Sequence, residues 1–125
     1  MKTYFSGDAH YTDAGVDPTG ATGGNEIIQR LRLGIEPLSG YYHFPKHMIA
    51  EGHIVVTEHM ERWEFPTGEA VDHPFASVME VADGKITRWH DYSHLNNILD
   101  MAPAWWITHI SGGWADGLPA IPTFD

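Results

Sequence analysis

The sequence predicts an α+β domain built on a curved antiparallel meander. Residues 53–65 and 85–92 alternate in character over strand-like lengths. Pro66-Thr67-Gly68-Glu69 and Asp83-Gly84 are tight-turn sequences of the kind that join paired strands. Short stretches with helical signals stand before and after this meander. A chain of 125 residues that is 42 % hydrophobic can bury one core, so one domain is expected.

In chain order, residues 1–11 read as a short lead-in. Residues 13–25 form a loop with four glycines and a proline. It lacks the Lys-Ser/Thr ending of a phosphate-binding loop. Asn25 is placed to cap a helix over 26–33, with Ile27, Ile28 and Leu31 on its buried side. Residues 37–46 read as irregular and aromatic, and 46–50 as the start of a strand that turns at Glu51-Gly52. The strand over 53–65 carries His53, Val55, Thr57, His59, Glu61, Trp63 and Phe65 on one face. The next strand, 71–82, is expected to be broken or delayed by Pro74. The Asp83-Gly84 turn leads into the strand 85–92, with Thr87, Trp89 and Asp91 on one face. Ser93 is a candidate cap for a helix over 94–101. Pro103 interrupts it, and 104–110 resume it. Residues 111–125 read as an irregular tail, expected to pack on a neighbouring subunit through Trp114 and Phe124. The domain is therefore set at 1–110 and the tail at 111–125.

Composition narrows the function. Seventeen acidic against seven basic residues give a formal charge of −10. Such a surface repels phosphate backbones and anionic membranes, so neither nucleic acid nor a membrane is expected as a partner. No cysteine is present, which excludes disulfides and thiolate chemistry. No apolar run has the length of a membrane span and the N-terminus has no signal-peptide pattern, so a cytoplasmic protein is expected.

Three clusters could carry chemistry. An aspartate on the same strand face as a tryptophan is unusual. If that face points inward, Asp91 is a carboxylate in an apolar cavity, where burial raises its pKa and makes a base usable near neutral pH. The alternative is a strand-end residue that caps a neighbour. His59 and Glu61 share a face with Trp63 and Phe65. If this face and that of Asp91 line one concavity, an imidazole stands between two carboxylates and can orient both. The alternative is a solvated polar face. Tyr11 and Asp13 share a face if extended, and both could hold a water; alone, such residues are equally turn residues. His43 and His47 are four apart, but Pro45 between them opposes a helix, and no metal site is assigned. Trp63, Trp89, Trp105 and Trp106, with Phe65, could wall a cavity suited to an apolar organic ligand.

The runs Val56-Thr57-Glu58-His59-Met60-Glu61-Arg62-Trp63, Phe65-Pro66-Thr67-Gly68 and Gly84-Lys85-Ile86-Thr87-Arg88-Trp89-His90-Asp91-Tyr92 resemble the limonene-1,2-epoxide hydrolases. These belong to the NTF2-like superfamily with SnoaL-type polyketide cyclases and ketosteroid isomerases. The resemblance covers about residues 10–101. It implies a cone, a curved mixed sheet wrapped around helices with a deep apolar pocket, here with the N-terminal helices shortened or absent. It implies Asp91 as the base that activates water, Glu61 as the acid, His59 in place of an arginine that links the two, and Tyr11 and Asp13 as the water holders. Asp13 stands where those enzymes carry asparagine. The expected function is cofactor-independent hydrolysis of an epoxide. Proton abstraction by a SnoaL-like cyclase or isomerase is the alternative, and a non-catalytic ligand-binding module a second one. A homodimer is expected, paired through the sheet face that carries Met60, Ile86 and Tyr92.

Overall fold

The computed structural model describes residues 2–124. Its frame is one six-stranded sheet in the order β2-β1-β6-β5-β4-β3. The strands are β1 (Phe5–Asp13), β2 (Ala21–Thr22), β3 (Gly40–Glu51), β4 (Ile54–Glu64), β5 (Ala70–Ala82) and β6 (Lys85–Ser93). β3 to β6 form the antiparallel meander expected from the turns. Asp83 and Gly84 both take positive φ, 53° and 75°, the twist that suits a two-residue hairpin.

The lead-in expected over residues 1–11 is instead largely strand. β1 runs parallel to β6, with Tyr11 opposite Trp89 and Asp13 opposite Asp91. Parallel partners cannot be joined by a tight turn; here helix α1 and four strands separate them. That pairing leaves no local signal. β3 also corrects an expectation, because the aromatic run from Tyr41 is strand rather than irregular chain. Pro45 does not end it. The register shifts between Pro45 and His47, and β3 is an edge strand, where proline is tolerated. Pro74 does not break β5 either. Residues 70–74 pair only with β4, since β6 pairs from Phe75 onward. The missing N–H of Pro74 therefore falls where β5 is itself an edge.

Helix α1 (Gly24–Ile35) starts one residue before the expected Asn25 cap. Gly23 holds the cap position at φ 83°, and Glu26 accepts the Thr22 N–H instead. Helix α2 (Leu95–Met101) follows His94, while the expected cap Ser93 ends β6. Helix α3 (Ala104–Ser111) follows Pro103. Residues 112–124 contain only turns and irregular chain. Within the chain, Trp114 packs against the first core cluster and the Phe124 ring lies 4.7 Å from that of Trp105.

The inner face buries two apolar clusters. Phe5, Ala9, Tyr11, Ala21 and Ile27 form one under β1. Trp63, Phe65, Val71, Ile98 and Trp106 form the other under β4, β5 and the C-terminal helices. Among the described residues no helix is long and apolar enough to cross a membrane.

Candidate active site

Cross-strand register decides which side chains meet, because directly opposed residues share a face. Glu61 lies opposite His73, His59 opposite Phe75, and Ser77 opposite Asp91. Tyr11 and Asp13 lie opposite Trp89 and Asp91. The meander and the parallel strand thus bring Tyr11, Asp13, His59, Glu61, Trp63, Trp89 and Asp91 to one face. The polar members form a strip between the two apolar clusters.

Asp91 is 7 % exposed. Its Oδ1 accepts the Ser77 hydroxyl at 2.6 Å and the Trp89 indole N–H at 2.7 Å. Its Oδ2 lies 2.7 Å from the Tyr11 hydroxyl. Burial pushes the Asp91 pKa above the usual carboxylate range, and the Glu61 charge adds to that; the three donors pull it back in part. Asp91 is therefore a buried carboxylate held by neutral donors, with no cation in direct contact among the described residues.

Tyr11 joins Asp91 to Asp13, whose Oδ1 lies 2.9 Å from the same hydroxyl. Arg30 of α1 donates to Asp13 Oδ2 at 2.6 Å. Burial raises the Asp13 pKa and Arg30 opposes that rise. The Tyr11 phenol is held well above its usual pKa by burial and by both carboxylates.

Glu61 is likewise buried. It accepts the Trp63 indole N–H at 3.2 Å, and His59 Nε2 lies 3.0 Å from its Oε2. Each carboxylate is thus steered by the indole two residues away on its own strand. His59 stacks on Phe75, with ring centroids 5.4 Å apart and planes 8° apart. Its hydrogen bond goes to Glu61 alone; the partners of Asp91 are Tyr11, Ser77 and Trp89. The bridge from His59 to both acids, expected from the sequence, is therefore absent among the described residues. Tyr41 of β3 stands beside Glu61, and burial with that carboxylate raises its phenol pKa.

The aromatic candidates divide. Trp63 and Trp89 touch the carboxylates. Phe65, Trp105 and Trp106 interlock in the second apolar cluster, with Trp63–Trp106 centroids 5.9 Å apart and Phe65–Trp106 5.8 Å. The Trp106 indole donates to the Gly34 carbonyl and that of Trp105 to the Thr67 hydroxyl. Those three serve the core beside the site. Among the described residues no group of three or more His, Asp or Glu side chains is placed to hold a metal.

Sequence reasoning missed Ser77, Arg30, Tyr41 and His73. Ser77 and His73 share parity with Val71 and Phe75 on β5, so correct reading of that strand through Pro74 would have found them. Arg30 had no such signal, because a helix-to-strand ion pair is set by tertiary packing.

The sequence matches the model of the SnoaL-like domain over residues 1–89. The chain belongs to the SnoaL-like family. Asp91 lies just beyond the matched span. No curated protein matches the sequence. Among solved structures, an LEH-like epoxide hydrolase from M. tuberculosis is 24 % identical, with a TM-score of 0.65 over 79 % of this chain and 71 % of that one. A SnoaL-like polyketide cyclase structure from Jannaschia sp. CCS1 is 17 % identical, with a TM-score of 0.71 over 82 % and 76 %. A protein of ketosteroid isomerase-like fold from Catenulispora acidiphila is 22 % identical, with a TM-score of 0.70 over 84 % and 82 %. At these identities the likeness establishes the SnoaL-like, NTF2-like cone and nothing finer.

Proposed function

We propose that this SnoaL-like protein is a cofactor-independent acid–base enzyme that opens an epoxide on an apolar small molecule. The observation that carries this reading is the pairing of two buried carboxylates, Asp91 and Glu61, on one inner face with unlike partners. Asp91, held by Ser77, Trp89 and Tyr11, is the base that takes a proton from water as the water attacks an epoxide carbon. Glu61, with His59 at 3.0 Å, is the acid side that returns a proton to the epoxide oxygen. The apolar clusters on either side favour a substrate with little charge of its own.

One observation favours a second chemistry. The Tyr11 hydroxyl is engaged between Asp91 and Asp13, which leaves it little capacity to hold a water. Abstraction of a proton next to a carbonyl, as in a cyclase or isomerase, needs no such water.

The experiment is turnover on a panel of epoxides and enolisable ketones, with Asp91→Asn as control. Diol formation that the substitution lowers by about 10²–10⁴-fold supports hydrolysis. Deuterium exchange into the ketones, lost in the same variant, supports the second reading. Undiminished turnover by the folded variant removes Asp91 from either mechanism.

A further inference from the structure

The Tyr11 hydroxyl carries one proton but faces two carboxyl oxygens, Asp91 Oδ2 at 2.7 Å and Asp13 Oδ1 at 2.9 Å. It can donate to only one of them. If both aspartates were ionised, one contact would set oxygen lone pairs against each other with no proton between, in a buried place. Each contact is short enough for a hydrogen bond. The arrangement is complete only when one of the two carboxyls is protonated and donates to the phenol oxygen.

We propose that Asp13, Tyr11 and Asp91 share one carboxyl proton and form a relay that carries protons from the buried base to the surface. Two arrangements exist. In one, Asp13 holds the proton, donates it to the Tyr11 oxygen, and Tyr11 donates to an ionised Asp91. In the other, Asp91 holds it and donates to Tyr11, which donates to an ionised Asp13. They interconvert when two protons move in the same direction, one along each hydrogen bond, so that one proton passes between the aspartates and Tyr11 ends as it began. The first arrangement is the one in which Asp91 can act as a base. When Asp91 takes a proton from its substrate, the triad holds one too many, and Asp13 releases its own to solvent. The concerted shift then restores the first arrangement.

The surroundings fit this direction of flow. Asp91 is enclosed by Ser77 and Trp89, and Glu61 is the charge that faces it from β4. Asp13 is the outward end: its side chain is 18 % exposed, and it lines a surface cavity of about 500 Å³ with Thr12, Gly15 and His90. Asp91 does not line that cavity. Arg30 from α1, then the Tyr11 hydroxyl and His90 from β6, favour charge on Asp13, and so favour release of its proton. The carboxylate at position 13 is essential to this role, since an amide could hold a water but could not take up and release a proton here. Asp13 is thus a proton exit rather than a water holder.

The relay serves the base role assigned to Asp91 above, but its test needs no substrate. Nuclear magnetic resonance of ¹³Cγ-aspartate-labelled protein follows both carboxyl groups through a pH titration. The expected wild-type result is that the two carbons move together in two shared steps, with one proton retained above the usual carboxylate range. Tyr11→Phe should leave only the weaker electrostatic coupling between the two carboxyls, with no proton shared through the phenol. Asp13→Asn should leave Asp91 with one step at lower pH, because Tyr11 then donates to it alone. Independent single steps in the wild type would overturn the relay, and so would wild-type coupling that Tyr11→Phe leaves undiminished. An inactive protein with coupled titration would sink the proposed reaction and leave the relay standing.

Discussion

In the base role proposed for Asp91, function and stability would oppose each other in one residue. Its folded pKa is raised by burial. A carboxyl of that kind binds its proton more tightly folded than unfolded. Its stabilising effect is present below the unfolded pKa and is lost as pH rises through the folded pKa. At neutral pH the charged form is therefore a burden on the fold, and Asp91→Asn should raise the denaturation midpoint there. The amide oxygen can still accept from Ser77 and Trp89, and its N–H can donate to Tyr11. Thermal unfolding of both proteins at pH 7 and pH 4 checks this; an equal difference at the two pH values would contradict it. The same shift sets the acid limb of the rate profile. Activity that needs ionised Asp91 should rise through a pKa above the ordinary carboxylate range, not at it. His73 carries the opposite sign. It is fully buried, accepts the Asn97 amide N–H at Nδ1, and has no partner for Nε2 among the described residues. Burial, then the nearby His94, lowers its pKa from 6.5 to about 4. The unfolded chain binds that proton first, so stability should fall as pH drops from 6.5 toward 4. Urea midpoints across this window should fall less in His73→Gln than in the wild type.

At the scale of elements, β5 matters most. It is the strand that carries Ser77 to Asp91 and His73 to Glu61, so it joins the two halves of the site. Helix α2 secures its free edge: the Asn97 amide donates to the Asp72 carbonyl, the group left without a β6 partner. Helix α3 then closes the second cluster through Trp106, which reaches the Gly34 carbonyl at the end of α1. That one indole links three elements, and it is 4 % exposed. Trp106→Ala should cost about 3–5 kcal/mol in urea unfolding, the range for a buried aromatic removed to leave a cavity. A loss below about 1 kcal/mol would mean that α3 is not a structural part of the domain.

The whole molecule has two unlike faces. The inner face carries the site, while the outer face exposes Tyr42, Phe44, Ile49, Val56 and Tyr92. Register puts these on one side: Phe44 lies opposite Met60, Ile49 opposite Val56, and Tyr92 opposite Ala76. Contiguous apolar surface of this kind suits burial against a second copy. A homodimer through this face is the expected state, and Ile86 contributes less than its parity suggested because it packs against the first core cluster. Light scattering at micromolar concentration should give twice the mass of 14.0 kDa. Phe44→Glu together with Tyr92→Glu should shift it to monomer. A wild-type protein that is already monomeric would end the idea.

The meander was legible in the sequence because its determinants are local. Period-two alternation and the Asp83-Gly84 turn fix β4 to β6, and the shared parity of His59 with Glu61 and of Trp89 with Asp91 follows from strand geometry alone. The resemblance also picked out Tyr11 and Asp13. What the sequence could not reveal was decided by contacts far apart along the chain. Helix α1 and four strands lie between β1 and its parallel partner β6, and Arg30 reaches Asp13 from a helix. Neither leaves a periodicity. Pro45 and Pro74 read as breakers because their tolerance depends on where a sheet edge falls, and only the assembled sheet fixes that. The same holds for the proton count at Tyr11. Alternation placed two carboxylates and a phenol on one face, but only tertiary distances show that a single hydroxyl must serve both acids.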